Sequence, residues 1–250
     1  MIVLKSPTEL VKMRRAGRIV AQVLADLAGM ARPGLTTAAL DARAAELTAE
    51  MGGVPAFKGY NGFPAALCAS INEEVVHGIP GRRRLAEGDI LSLDFGAFYE
   101  GYCADAALTV PIGAVSPEAE RLIRTTREAL EAGIAAVREH RRVSDISRAV
   151  QNLVEGEGFS VVREFVGHGI GQKMHEPPQI PNFVAGFLDY DQRLRAGMTL
   201  AIEPMVNAGG YHVLTKKDGW TVVTKDRSLS AHFEHTVLVT KDEPEIITRV

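Results

Sequence analysis

Asp94 interrupts the run Ile90-Leu-Ser-Leu-Asp-Phe95, and Asp105 interrupts Tyr102-Cys-Ala-Asp-Ala-Ala-Leu108, both of which otherwise read as buried strands. Acids are depleted in strands, so each placement needs a reason. Gly88-Asp89 introduces a strand over Ile90 to Phe98, Glu100-Gly101 reads as a two-residue turn, and Tyr102 to Val110 returns. With Tyr99 and Tyr102 closing the turn, Asp94 faces Ala107. Asp105 is then its diagonal neighbour on the same face, about 7–8 Å away between backbones. Glu203 in Leu200-Ala-Ile-Glu-Pro204 and Glu234 in His232-Phe-Glu-His-Thr236 repeat the anomaly. The blocks Gly88 to Asp94 and Gly197 to Glu203 also share a spacing: Gly, Leu at +3, an aliphatic residue at +5 and an acid at +6. Each is followed by a second acid on a later strand, so the halves read as related units presenting two carboxylates each.

Four carboxylates gathered in one place repel, and some would hold protons. Two divalent cations would balance their four negative charges, and a neutral imidazole would complete the ligands. His168, in Gly167-His-Gly-Ile-Gly171, is the natural candidate, because flanking glycines let the backbone come close to a ligand. Oxygen and nitrogen donors without thiolate suit manganese, iron, cobalt or zinc in a working site better than structural zinc. One strand Asp alone is more often a solvated edge residue or an ion-pair partner, and one such His a turn residue. The joint pattern is what points to metal. Other motifs fail: Gly167-x-Gly169-x-Gly171 lacks the dinucleotide spacing, and His175-Glu-Pro-Pro178 is followed by Gln179, so it is not a H-E-x-x-H helix.

Composition removes several classes. The chain has 250 residues with 28 basic and 31 acidic side chains, a formal charge of −3, which argues against nucleic-acid binding through bulk charge. No apolar run approaches the ~20 residues of a membrane span, and the charged start is not a secretory signal. Two cysteines cannot form a disulfide framework. We expect a cytoplasmic protein with reduced thiols and one catalytic domain over 1–250, since no linker divides it. Helices are expected from Pro7 with a Ser6–Glu9 capping box, from about Thr37 to Met51, from Pro117 to about Glu139, and from Ser144 to about Gly156. Strands are expected at Leu67–Ile71, Glu74–His77, Val161–Val166, Thr199–Val206, Tyr211–Leu214, Trp220–Thr224 and His235–Thr240.

The run Ser70-Ile-Asn-Glu-Glu-Val-Val-His77-Gly-Ile-Pro80 precedes Asp94 and Asp105, eleven apart. Gly167-His168-Gly-Ile-Gly171, His175-Glu-Pro-Pro178, Ile202-Glu-Pro-Met205, Leu214-Thr-Lys-Lys-Asp-Gly-Trp220 and Phe233-Glu-His-Thr236 follow. In this order they resemble the type I methionine aminopeptidases over nearly the whole chain. The resemblance implies the pita-bread fold, an α/β (α+β) arrangement in which a pseudo-two-fold antiparallel sheet, flanked by helices, carries a dinuclear metal centre. It implies that Asp94 holds one ion, that Asp105 and Glu234 bridge both, and that His168 and Glu203 complete the second. It places His175 at the tetrahedral intermediate and His77 at the substrate backbone, and gives Glu203 a proton to relay. Tyr60, Phe63, Cys68 and Trp220 match the family's pocket for the methionine side chain, and Met174 is expected to line it too.

The implied activity is removal of the initiator methionine from peptides and nascent chains, with a preference for a small second residue, by water activated between two cations. The expected form is a monomer without membrane or direct nucleic-acid partners. Ribosome contact through Arg82-Arg83-Arg84 is weighed against a solvated turn, the reading we adopt. One rival is an Xaa-Pro aminopeptidase or prolidase, which usually adds an N-terminal domain for which this length leaves no space. Another is a peptide-binding protein that has lost catalysis.

Overall fold

A computed structural model describes residues 2–184 and 191–249. The first half runs α1 (Pro7–Met30), α2 (Thr37–Glu50), β1 (Val54–Pro55), β2 (Cys68–Ile71), β3 (Glu74–Val76), β4 (Ile90–Tyr99) and β5 (Tyr102–Pro111). The second runs α3 (Pro117–Ala135), α4 (Val143–Gly156), β6 (Ser160–Val161), β7 (Gly167–Gly169), β8 (Glu176–Ile180), β9 (Thr199–Ile202) and β10 (Met205–Asn207). It closes with β11 (Val213–Thr215), β12 (Val222–Thr224), β13 (Ser230–His232), β14 (Glu234–Leu238) and β15 (Glu245–Ile246).

Local chemistry explains the helix starts. Ser6 Oγ accepts the Glu9 N–H, and Glu9 Oε2 accepts the Ser6 N–H at 2.7 Å, so the expected box satisfies two donors that the first turn leaves free. Behind it Met13, Val20, Leu24 and Leu27 are buried and lie against β4 and β5. α3 stops at Ala135, short of the expected Glu139. The chain is drawn off by Leu194, whose carbonyl accepts the His140 N–H at 3.0 Å and whose own N–H donates to Arg141 O at 2.7 Å. α4 starts one residue before Ser144, whose hydroxyl donates to Asp191 instead of capping.

A nine-stranded sheet has the order β1-β4-β5-β14-β9-β7-β8, with β2 also on β4 and β15 also on β14. The β4–β5 turn is closed by Tyr99 opposite Tyr102, with Glu100 and Gly101 at φ 45° and 81°. Both are left-handed, as a tight hairpin requires. The expected strand Thr199–Val206 is broken at Glu203-Pro204. Proline cannot donate to a ladder, and β9 and β10 part into different sheets there. Of the expected Val161–Val166 strand only Val161 lies in β6, which begins at Ser160 and pairs with β10. Strands β1, β7, β8, β13 and β15 were not anticipated; β8 carries Pro177-Pro178 and lies at the sheet edge, where proline is tolerated.

The internal echo is structural. Gly88 and Gly197 both have φ 91°, each just before the strand that leads to an acid. Three residues earlier, Leu85 and Leu194 tie back to the segments before α2 and α4, through Leu85 N–H to Leu35 O at 2.9 Å and the Leu194–Arg141 bond. One apolar core lies under α1 and α2, and others lie under α3 and α4.

Candidate functional site

Strand register alone brings the acids together. Asp94 pairs with Ala107, and Ala107 pairs with Glu234 on the other side, so the two carboxylates flank one alanine in one row. Asp105 pairs with Gly96, two residues along on the same face. His235 pairs with Ile202, so one step further the register sets Glu203 opposite Glu234. His168 pairs with Ala201, two residues from Glu203 and hence on its face. Cys68 pairs with Asp94 from β2. The remaining positions in these rows are Gly96, Ala107 and Ala201, which leave the face open above the acids.

Asp94, Asp105, His168 and Glu234 are all buried, at 9 %, 5 %, 7 % and 2 % exposure. Among the described residues no lysine or arginine lines the cavity above them. Asp94 Oδ1, Asp105 Oδ1 and Glu234 Oε1 are buried without a hydrogen-bond partner. Such groups are costly unless a ligand satisfies them. Burial, followed by repulsion from Asp105, holds the carboxyls of Asp94, Glu203 and Glu234 well above the usual carboxylate range. Burial raises Asp105 to about 7.

His168 Nδ1 lies 2.9 Å from the carbonyl of Gly169, so the ring proton belongs there and Nε2 presents a lone pair. That lone pair lies 3.4 Å from Glu203 Oε1. One ligand atom from each of Asp105, His168 and Glu234 lies within 4.8 Å of the others. Burial lowers His168 to about 4, which keeps the imidazole neutral. Orphaned carboxylate oxygens, a neutral imidazole and no competing base are what a divalent cation site requires, and the donor set fits one.

A cavity of about 220 Å³ stands on this floor, and all twelve residues singled out from sequence line it. The His175 ring lies 4.2 Å from that of His168 between centroids, tilted by 53°, and its Nδ1 lies 2.7 Å from the Tyr60 hydroxyl. Phe63 and Trp220 meet edge to face at 5.1 Å. His77 lies 6.3 Å from Trp220 and has φ 59°, a left-handed conformation that costs energy in a non-glycine residue. Burial lowers His77 to about 4. Cys68 and Met174 are buried in the walls.

Phe57, Asn61, Phe165 and Val166 also line the cavity and were not anticipated. The first two lie in the Gly- and aromatic-rich loop that carries Tyr60 and Phe63, and the last two directly precede Gly167-His168. Phe165 meets the His77 ring edge to face at 5.5 Å.

A pseudo-symmetric sheet presenting unpaired carboxylates and one imidazole to a half-closed pocket defines a metal-dependent hydrolase scaffold. Comparison with known proteins narrows the class. The chain belongs to metallopeptidase family M24, whose sequence profile matches residues 11–241. It is 50% identical to methionine aminopeptidase 1 of Bacillus subtilis (strain 168) and 50% identical to the methionine aminopeptidase of Clostridium perfringens (strain 13 / Type A), with 100% of each chain covered in both cases. Its fold matches the crystal structure of methionine aminopeptidase from Thermotoga maritima with a TM-score of 0.97 at 45% identity, over 100% of both chains. The fold is therefore the pita-bread fold that the resemblance implied.

Proposed function

We propose that the chain is a metal-dependent aminopeptidase that removes N-terminal methionine from peptides and nascent chains, with a preference for a small second residue. The observation that carries this is the convergence of orphaned carboxylates, a neutral imidazole and an aromatic pocket on one cavity. Asp94 would hold one ion, Asp105 and Glu234 both, and His168 and Glu203 the other; cobalt, manganese, iron and zinc all suit these donors. Two such cations would acidify a water near neutral pH and polarise the scissile carbonyl.

The protein's own groups supply the rest. Glu203, at the end of β9 beside His168, accepts a proton and relays it toward the leaving amine. A Tyr60 hydroxyl donating to His175 Nδ1 sets the tautomer, so Nε2 carries the hydrogen that stabilises a developing oxyanion. His77 contacts the substrate backbone near the scissile bond. Tyr60, Phe63, Cys68, Met174 and Trp220 enclose the methionine side chain. Ligands come from both halves, so we read 1–250 as a single catalytic domain, acting as a cytoplasmic monomer. Arg82-Arg83-Arg84 is read as a solvated turn, not a ribosome contact.

The test is cleavage of Met-Ala-Ser by cation-free protein with each metal restored separately, beside a peptide with a blocked amine. Release of methionine only from the free-amine peptide is expected. Cleavage of the blocked peptide contradicts recognition of the amine, and no activity with any ion favours a binding protein that lacks catalysis.

A further inference from the structure

His175 lies on the turn 170–175 between β7 and β8, its ring touched by Tyr60 and His168 but its backbone carried by the turn itself, so the placement of that turn decides where the ring stands. Two polar ties from the N-terminal segment reach this turn. In the first, Lys5 Nζ donates to Glu176 Oε2 at 2.6 Å, with only 3% of the lysine side chain exposed. The other oxygen of Glu176 accepts the Lys173 N–H at 3.1 Å, so one carboxylate spans the turn. Lys5 is itself pinned, its backbone N–H donating to Gly197 O at 2.8 Å. In the second tie, Gln172 Nε2 donates to the Tyr102 hydroxyl at 2.9 Å, and that hydroxyl donates to Glu9 Oε1 at 2.7 Å. Glu9 is the acid of the α1 capping box. Gly171 makes room for the first tie: a Cβ there would collide with the Lys5 side chain and lie 2.8 Å from Glu176 Oε1.

A buried ion pair is a weak source of stability, because desolvation offsets most of its attraction, but it is a strong directional constraint. We propose that Lys5 is a positioning residue for His175: its ion pair with Glu176 fixes the turn that presents His175 to the substrate carbonyl. The inference rests on the aminopeptidase reading and on the role of His175 in it. A displacement of about 1 Å in a group of this kind can cost up to ~100-fold in rate.

The test is steady-state cleavage of Met-Ala-Ser by cation-loaded wild type, Lys5→Met, Glu176→Gln and Lys5→Arg, with the first two also made in a His175→Ala background. Calorimetry on each protein reads cation affinity. Lys5→Met and Glu176→Gln are expected to lower kcat about tenfold, with KM within about twofold and cation affinity unchanged. Lys5→Arg recovers part of the loss. With His175 already removed, neither substitution costs more, because the group they act through is gone. A purely structural role predicts the same loss in both backgrounds and overturns the proposal. So does wild-type kcat in both single variants. Glu176→Gln, which keeps the shape of the side chain, decides the matter where Lys5→Met does not fold. An inert wild type overturns the aminopeptidase reading and this proposal with it, whereas an active wild type with unaffected variants overturns the proposal alone.

Discussion

The two halves of the molecule set different side chains on matching positions. Asp94 ends the first block and Glu203 the second, and two residues before them Ser92 and Ala201 pair with Ser70 and His168. Ser70 and His168 are therefore counterparts. Seven residues after each comes a rim histidine, His77 in the first half and His175 in the second. In the second half the counterpart position carries an imidazole whose free nitrogen faces the acids. In the first it carries a hydroxyl that accepts the Gly78 N–H at 3.1 Å, next to the left-handed His77. One scaffold position thus turns a free imidazole nitrogen toward the acids in one half and braces the backbone in the other. Two cations held between the halves would have different neighbours: an imidazole belongs to one of them only.

The largest effect expected from breaking this arrangement is at the shared floor. Glu234→Gln should lower turnover by more than about 1000-fold, read as methionine release at saturating cation. The same change should raise the melting temperature of cation-free protein, because it removes a buried carboxylate that has no partner. A lower melting temperature would count against the repulsion argument.

The counterpart positions come next. His168→Ala should remove one cation per chain in calorimetry and lower turnover about 100-fold. Ser70→Ala should keep both cations and lower turnover about tenfold, through the loosened backbone at His77. Equal cation loss in both variants would dissolve the distinction between ligand and brace.

A smaller effect follows from the acids. Asp105 titrates near 7 in the folded chain against an ordinary value of 3.8. A carboxyl with a raised folded pKa contributes stability that is present below its unfolded pKa and lost as pH rises through the folded one. Cation-free protein therefore loses this contribution between about pH 4 and 7, and a bound cation restores it. His77 and His235, both lowered to about 4 by burial, act in the opposite direction with and without cation, and their effect drops out of the difference. The stabilisation by manganese, measured by chemical denaturation, should grow by about 1 kcal/mol or more from pH 5.5 to 8. A constant or shrinking difference would mean that the ions bind elsewhere. Smallest of all, Ser116→Ala removes the α3 N-cap and should cost about 1 kcal/mol of stability with turnover unchanged.

The floor was legible in the sequence because acids inside apolar strands are a local contradiction. The two-residue turn between Tyr99 and Tyr102 then fixed the face of every residue in the hairpin. The rim carried no such signal. His77, His175 and Trp220 lie on loops and Tyr60 on a single 3-10 turn, none with periodicity, and only resemblance to a family pointed to them. Elements were misjudged where a distant partner decides. Leu194 ends α3 early, and the sheet edge admits the two prolines of β8. Lys5 and Glu176 lie 171 residues apart, so nothing local in either segment marks their pairing.

Crystals soaked in manganese should show two anomalous peaks, one touching Asp94, one touching His168 and Glu203, and both touching Asp105 and Glu234. An empty floor at saturating manganese, with the carboxylates turned toward one another or toward lysine or arginine, would contradict a metal site there.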